Sequence, residues 1–303
     1  KAMPMPTQVD GITQPALFDI TAYSALNDSK TYDSAGVGTS QWSAEQALKN
    51  YQSALGDPNA SMTTYAWQGT GNWTIEALTK AKQQGYDTVI ATHDFEADDA
   101  ATAETGKAIV STDTGDVTVL TAQSVLSNLA QGKATSSDAE ADGEGTTAGR
   151  LARFVAQSAF YQMEQPYAER NLLVCLNDNS DPAVVDALMT DVEQSPWLNI
   201  TDLNTLSNAD PTLSGDDAAT IVPQSDGIND ATRANLRQTL STLAASASDI
   251  KRFNASILTD DAKQAPAGLK AWRRQLVNAH GIMALHALGG ENPAGSTMVE
   301  GAG

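Results

Sequence analysis

Acidic, amide and aromatic side chains follow several of the predicted strands, at positions where a parallel barrel places its functional groups. Such residues suit the cleavage of a glycosidic bond. One carboxyl acts as the acid and a second as nucleophile or base, ~5–10 Å away, with a tryptophan as sugar platform. We nominate four catalytic candidates, Asp94, Glu96, Asp178 and Asp202, and five ligand-binding candidates, Asp10, Tyr65, Trp67, His93 and Asn177.

The stretch at residues 170–206 is the clearest element that could position such groups. Residues 171–176 form a short apolar run typical of a buried strand. Asp181-Pro182 then predicts an N-cap and a first helical residue, followed by apolar residues at helical spacing. Residues 198–203 predict a second strand. Together they predict a βαβ unit with a right-handed crossover.

The rest of the chain repeats this alternation of strands and helices. One helix is predicted after Ser40 or Ser43 and ends at Gly56, and two more are predicted within residues 229–290. Two loops are predicted, at residues 30–40 and at 133–147. The second is acidic and is interpreted as mobile rather than as a cation-binding loop, because it lacks EF-hand spacing. Further strands are predicted near residues 2–6, 63–67, 87–92 and 117–120, the last paired with 108–110 as a hairpin.

These elements predict an α/β fold, specifically a parallel TIM-like (β/α) barrel, complete or partial, with a C-terminal helical subdomain. An open doubly wound sheet is the alternative. No Gly-x-Gly-x-x-Gly follows a predicted strand and no Gly-Lys-Ser or Gly-Lys-Thr loop occurs, so nucleotide-binding versions of that sheet lose their main support. We assign residues 1–228 to the barrel portion, 229–290 to C-terminal helices and 291–303 to a flexible tail.

The charge balance of the chain excludes some classes of partner. The 303 residues contain 18 Lys and Arg against 37 Asp and Glu, a formal net charge of -19. Such a surface repels phosphate backbones and anionic lipid, which argues against binding to nucleic acid or a membrane surface. Cys175 is the only cysteine and lies within a predicted strand, so we expect a buried core residue. No apolar run reaches the ~18 residues of a transmembrane helix.

Several short motifs resemble an actinobacterial envelope protein family of unknown function. They are Tyr65-Ala66-Trp67 with Gly85, Glu164-Gln165-Pro166, residues 170–174, residues 195–198 and Trp272-Arg273. The resemblance implies the second half of a barrel similar to the glycoside hydrolase/deacetylase superfamily, and an extracytoplasmic location. The chain departs from the family pattern in two loops. Gln68-Gly69-Thr70-Gly71 stands where a proline and an acid are usual, and Asn177-Asp178-Asn179 where prolines and a basic residue are usual.

A metal site of the deacetylase type would need an Asp and two His, and His93-Asp94 suggests part of one. The other histidines, His280 and His286, are six residues apart on a predicted helix and point to different faces. We therefore predict no metal and no cofactor. The chain also has no Gly-x-Ser-x-Gly elbow for a serine nucleophile.

Three functional hypotheses follow from these residues. The first is a non-catalytic envelope domain that binds glycan or another envelope component. The second is a hydrolase that acts on a polysaccharide through Asp94, Glu96, Asp178 and Asp202. The third, a cytosolic α/β enzyme acting on a small metabolite, lacks a cofactor motif and ranks last. The oligomeric state and the natural ligand stay open.

Overall fold

The computed structural model describes residues 18–95, 103–177, 180–256 and 267–289. Three of the nominated site residues, Asp10, Glu96 and Asp178, lie outside these ranges. So do the strand predicted at residues 2–6 and the tail predicted at 291–303.

Helices make up most of the regular structure in the described residues. The helix predicted after Ser43 begins with the Ser43 side chain accepting from the Gln46 N–H and ends at Gly56 in the left-handed conformation. The described helices of six or more residues are Ile20–Leu26 (α1), Ser29–Ser34 (α2), Ala44–Leu55 (α3), Ile75–Gln83 (α4), Ser124–Ala130 (α5), Thr147–Glu164 (α6), Pro182–Gln194 (α7), Leu203–Asn208 (α8), Gly215–Thr220 (α9), Asp230–Ser256 (α10) and Ala267–Ala287 (α11). Shorter helical segments are Thr39–Gln41, Ser137–Ala139 and Glu140–Glu144.

The strands of the described chain form one mostly parallel sheet in the order β1-β2-β4-β3-β5. β3 and β4 are joined by two residues and therefore form an antiparallel hairpin, as predicted. β3 and β5 run parallel, with Ala108 opposite Leu213. The predicted α/β class is thus confirmed. The strands are Ala66–Trp67 (β1), Thr88–Ala91 (β2), Lys107–Thr112 (β3), Gly115–Thr121 (β4) and Leu213–Ser214 (β5).

The described chain divides into two compact units. The first comprises Lys1–Val89, Thr112–Gly115 and Pro223–Gly303, and the second comprises Ile90–Ser111 and Asp116–Val222. The two late helices, α10 and α11, form as predicted and belong to the same unit as α1 to α4. The domain boundaries proposed from the sequence stay predictions.

Each unit has its own apolar core. In the first, Phe18 stacks on Trp42 with ring centroids 4.5 Å apart, and Tyr23 and Tyr32 pack edge-on around them. In the second, α5, α6 and α7 pack together through their apolar faces. The buried residues of that second core are Ala103, Leu126, Leu129, Ala130, Leu151, Phe154, Tyr161 and Leu188. No helix within the described residues is long and apolar enough to cross a membrane.

The βαβ unit predicted at residues 170–206 is correct only in its helix. α7 begins at Pro182 with the Asp181 side chain accepting from the Ala183 N–H, as expected. The strand predicted at 198–203 is wrong, because these residues are mostly exposed and Asp202 begins α8 instead. The run at 171–176 makes only one isolated parallel bridge, at Leu173.

Side chains of α5 and of Gln131, which directly follows it, explain why the strand does not continue through Cys175. The Cys175 N–H donates to Ser127 Oγ at 3.1 Å, and Gln131 Nε2 donates to the Cys175 carbonyl at 3.0 Å. The backbone N–H and carbonyl of Cys175 are therefore not available for a strand ladder, whereas the Leu173 carbonyl still accepts from the Gln123 N–H. Cys175 is 4% exposed, as predicted for a core residue.

Burial of Cys175 is expected to lower the free energy of unfolding of the protein at alkaline pH. It raises the pKa of the thiol from 9.0 to about 11. Since the unfolded thiol ionises first, stability present below pH ~9 is lost as the pH rises towards ~11, by up to about 1.4 kcal/mol per pH unit. Urea unfolding at pH ~8 and ~10 measures this loss, and Cys175→Ala should remove it. Equal losses in both proteins would contradict the assignment.

The predicted loops at 30–40 and 133–147 are more ordered than the sequence suggested. The first contains α2, begun by the Asp28 side chain accepting from the Thr31 N–H. In the second, the Glu144 carboxylate is buried and accepts from the Thr135 N–H at 2.6 Å, while Arg150 donates to the Glu144 carbonyl. The prediction of an irregular loop is therefore wrong at residues 137–144, which are helical, while its mobility stays a prediction.

Candidate functional site

The loop that follows β1, residues 68–71, is hydrogen-bonded to a buried carboxylate. Asp19 is 3% exposed and begins α1. Its Oδ1 accepts from the Ala22 N–H at 2.8 Å and from Thr21 Oγ1 at 2.6 Å, and its Oδ2 accepts from the Thr70 N–H at 2.7 Å. One carboxylate therefore fixes both the start of a helix and the course of the loop.

Further hydrogen bonds and one glycine hold the same loop. The Gly71 N–H donates to Thr21 Oγ1 at 2.9 Å, and Gln68 Nε2 donates to the Gly71 carbonyl at 3.1 Å. A Cβ on Gly69 would lie 2.1 Å from the Asp19 carboxylate, so only glycine fits there. Residues 68–71 are therefore a rigid support for the strand end.

Two nominated aromatic residues lie just before this loop. Ala66 is buried and its neighbour Trp67 is 41% exposed, as expected for adjacent strand residues that face opposite sides. Tyr65 is half-buried. Trp67 thus presents an open ring at the carboxyl end of β1, on a backbone that the adjoining loop stabilises.

His93 and Asp94 follow β2 and contact each other. His93 Nδ1 and Asp94 Oδ2 are 3.1 Å apart, and the side chains are 44% and 68% exposed. Asp94 has φ +54°, in the left-handed region that Asp tolerates better than most residues. Solvent weakens the attraction between two groups as exposed as these.

The remaining nominated residues serve local structure. Asp202 caps α8, and hydrogen bonds from the backbone and side chain of Thr205 lower the pKa of its carboxyl. Asn177 is exposed, and its N–H donates to Ser180 Oγ at 3.1 Å. A general acid needs a raised pKa, so Asp202 is poorly suited to that role.

Metal ligands do not assemble in the described part of the chain. It contains no group of three or more His, Cys, Asp or Glu residues that could hold a metal ion. His280 is buried on α11, with Nε2 3.1 Å from the Ala35 carbonyl oxygen, as expected of a packed histidine. The geometry of the described residues thus supplies an exposed aromatic ring and an exposed His–Asp pair.

Asp19 was missed by the sequence analysis. It directly precedes Ile20, the first apolar residue of α1, and Asp at such a position is a usual N-cap signal, so the cap could have been found. Its burial could not, because the partner Thr70 lies 51 positions away. Only the folded chain brings the two together.

These features define a mixed α/β protein in which a buried carboxylate fastens the loop after the first strand. The chain belongs to the family of unknown function DUF6049, whose family model matches residues 1–303. No curated protein and no solved structure matches the chain.

Proposed function

We propose that this chain is a non-catalytic domain of an extracytoplasmic envelope protein, and that it binds glycan or another envelope component through Trp67. The observation that carries the proposal is the 41% exposure of this indole at the end of β1, beside a loop fixed by Asp19. A rigid exposed aromatic face binds sugar rings with little loss of conformational entropy.

The roles of the carboxylates favour binding over catalysis. Asp19 and Asp202 accept hydrogen bonds from helix N-termini, and Asp94 is exposed beside His93. A glycosidase instead needs two facing carboxyls, one of them with a raised pKa. The lowered pKa of Asp202 fits the ionised member of such a pair but not its acid.

We further propose that the domain is a barrel and that it comes from an actinobacterial envelope protein. Parallel strands alternating with helices support a barrel related to the glycoside hydrolase/deacetylase superfamily, although the β3–β4 hairpin departs from an all-parallel pattern. The motif resemblance described above supports an actinobacterial envelope protein. The acidic composition is compatible with an exposed, solvated surface.

A polysaccharide hydrolase is the second candidate function. The observation that favours it is the His93–Asp94 pair, because Asp94 has the left-handed backbone conformation often found at functional sites. In that case Asp94 would act with Glu96 or Asp178 as the second carboxyl. If the protein cleaves polysaccharide through such a pair, cleavage depends on Asp94.

Replacing Trp67 by alanine tests the binding proposal. We expect about five- to thirtyfold weaker retention on soluble envelope polysaccharides in affinity electrophoresis, since one stacked aromatic residue contributes on the order of 1–2 kcal/mol. Phe253→Ala is the matched control, because Phe253 is a similarly exposed aromatic residue on α10 of the same unit. Equal retention of both variants and the parent chain would contradict the proposed role of Trp67.

A further inference from the structure

The C-terminal end of α6 carries an apolar face that is largely exposed among the described residues. Leu151, Phe154 and Tyr161 lie on the buried side of this helix. Phe160 is 49% exposed and Met163 is 70% exposed. With about 100° of rotation per residue, Phe160 and Met163 project from the side opposite the core. The two residues are three apart, so their side chains are neighbours on that surface.

Glu164 lies beside this apolar face, and its surroundings stabilise the negative charge of its carboxylate poorly. It follows Phe160 by four residues and so lies beside it on the helix surface. Its Oε2 is shielded from solvent and has no hydrogen-bond partner among the described residues. Burying an oxygen of a charged group without a partner costs on the order of 1–3 kcal/mol.

The position of Glu164 in the helix adds to this cost. It is the last residue of α6, where the helix dipole disfavours negative charge, and the last turn contains no basic residue. The nearest basic residue in sequence, Arg170, directs its guanidinium to the carbonyls of Ala103 and Tyr161. The carboxylate of Glu164 thus lies beside an exposed apolar surface with one oxygen unpartnered, and a charged donor from a binding partner would offset the cost.

We propose that Phe160, Met163 and Glu164, here called the α6 patch, bind a partner protein through a segment that presents arginine or lysine beside an aliphatic side chain. The cation would pair with the Glu164 carboxylate, and the aliphatic group would cover Phe160 and Met163. The net charge of -19 attracts such a basic segment and repels an acidic one. Tyr167, which is fully exposed just beyond the helix, forms an aromatic rim. This surface is independent of the glycan site proposed at Trp67.

A labelled helical peptide with leucine and arginine at i and i+4 tests the proposal on the whole chain by fluorescence anisotropy. We expect saturable binding that Phe160→Ala and Glu164→Gln each weaken about tenfold. Two matched controls should bind like the parent chain: Glu140→Gln removes an equally negative exposed side chain, and Met189→Ala removes an exposed apolar one from α7. A peptide with glutamine in place of arginine should bind about tenfold less tightly.

Loss of folding is separated from loss of binding by urea unfolding. Glu164→Gln should be at least as stable as the parent chain, because it removes a poorly placed charge. Absence of saturable binding, or equal weakening by Glu140→Gln and Glu164→Gln, overturns the proposal. It is also overturned if Phe160→Ala abolishes instead a self-association seen in sedimentation or binding to phosphatidylcholine vesicles, since the occupant would then be a second copy or a lipid surface.

Discussion

Replacing Asp19 by alanine is expected to lower the free energy of unfolding by about 3–5 kcal/mol. The substitution leaves three donors without their acceptor: the Ala22 N–H, the Thr70 N–H and the Thr21 hydroxyl. Because these groups belong to α1 and to the loop after β1, both elements lose their attachment. Few single substitutions lower the free energy of unfolding by more than this, and leaving buried polar groups unpaired is one of the usual causes.

Urea unfolding followed by tryptophan fluorescence measures the effect, since the buried Trp42 and Trp73 lie in the same unit as Asp19. Asp28→Ala is the matched control, because Asp28 also caps a helix but its carboxylate is exposed. It should lose only a small fraction of the stability that Asp19→Ala loses. Similar losses in both variants would contradict the anchoring role of the buried carboxylate.

Arg233→Ala is expected to lower the free energy of unfolding by about 2–3 kcal/mol. The Arg233 guanidinium donates to both carboxylate oxygens of Asp226, at 2.9 and 2.8 Å, and to the Ala25 carbonyl at 2.8 Å. The Asn72 N–H in turn donates to the Asp226 carbonyl at 2.8 Å. One side chain of α10 therefore connects the end of α1, the turn before α10 and the end of the β1 loop.

The control for this substitution is Arg237→Ala, four residues later on the same helix and exposed. It should change stability by less than about 0.5 kcal/mol. A double-mutant cycle with Asp226→Ala should give a coupling energy above about 1 kcal/mol, because Arg233 Nη2 donates to both carboxylate oxygens of Asp226 and the pair is only partly exposed. Additive losses, or an Arg237→Ala loss as large as that of Arg233→Ala, would show that the pair does not connect these segments.

Local patterns predicted helices better than strands. Ser43 with Gly56 and Asp181 with Pro182 mark helix ends through contacts within a few residues, and both predictions are confirmed. The apolar run at 171–176 resembles a strand in composition, but strand formation depends on which backbone groups remain free. The side chains of Ser127 and Gln131 take the backbone groups of Cys175, and nothing local to the run indicates this.

The candidate site shows the same limit of local information. The sequence places Trp67 at the end of one strand and His93-Asp94 after another, and β1 and β2 do end there. It also nominates Asp202, whose strand is absent and whose carboxylate caps a helix instead. Acidic residues are frequent in this chain, so a position at the end of a predicted strand does not distinguish a catalytic carboxylate from one that caps a helix. The hydrogen-bond partners of each carboxylate distinguish the two roles, and those partners depend on the fold.

The claim that this protein binds polysaccharide without cleaving it is tested most directly by incubating the chain with the polysaccharides that retain it and measuring released reducing ends. We expect retention that depends on Trp67 and no release above that of a protein-free blank. Release of reducing ends by the parent chain, lost in a folded Asp94→Asn variant, would contradict the claim and identify the His93–Asp94 pair as part of a hydrolytic site.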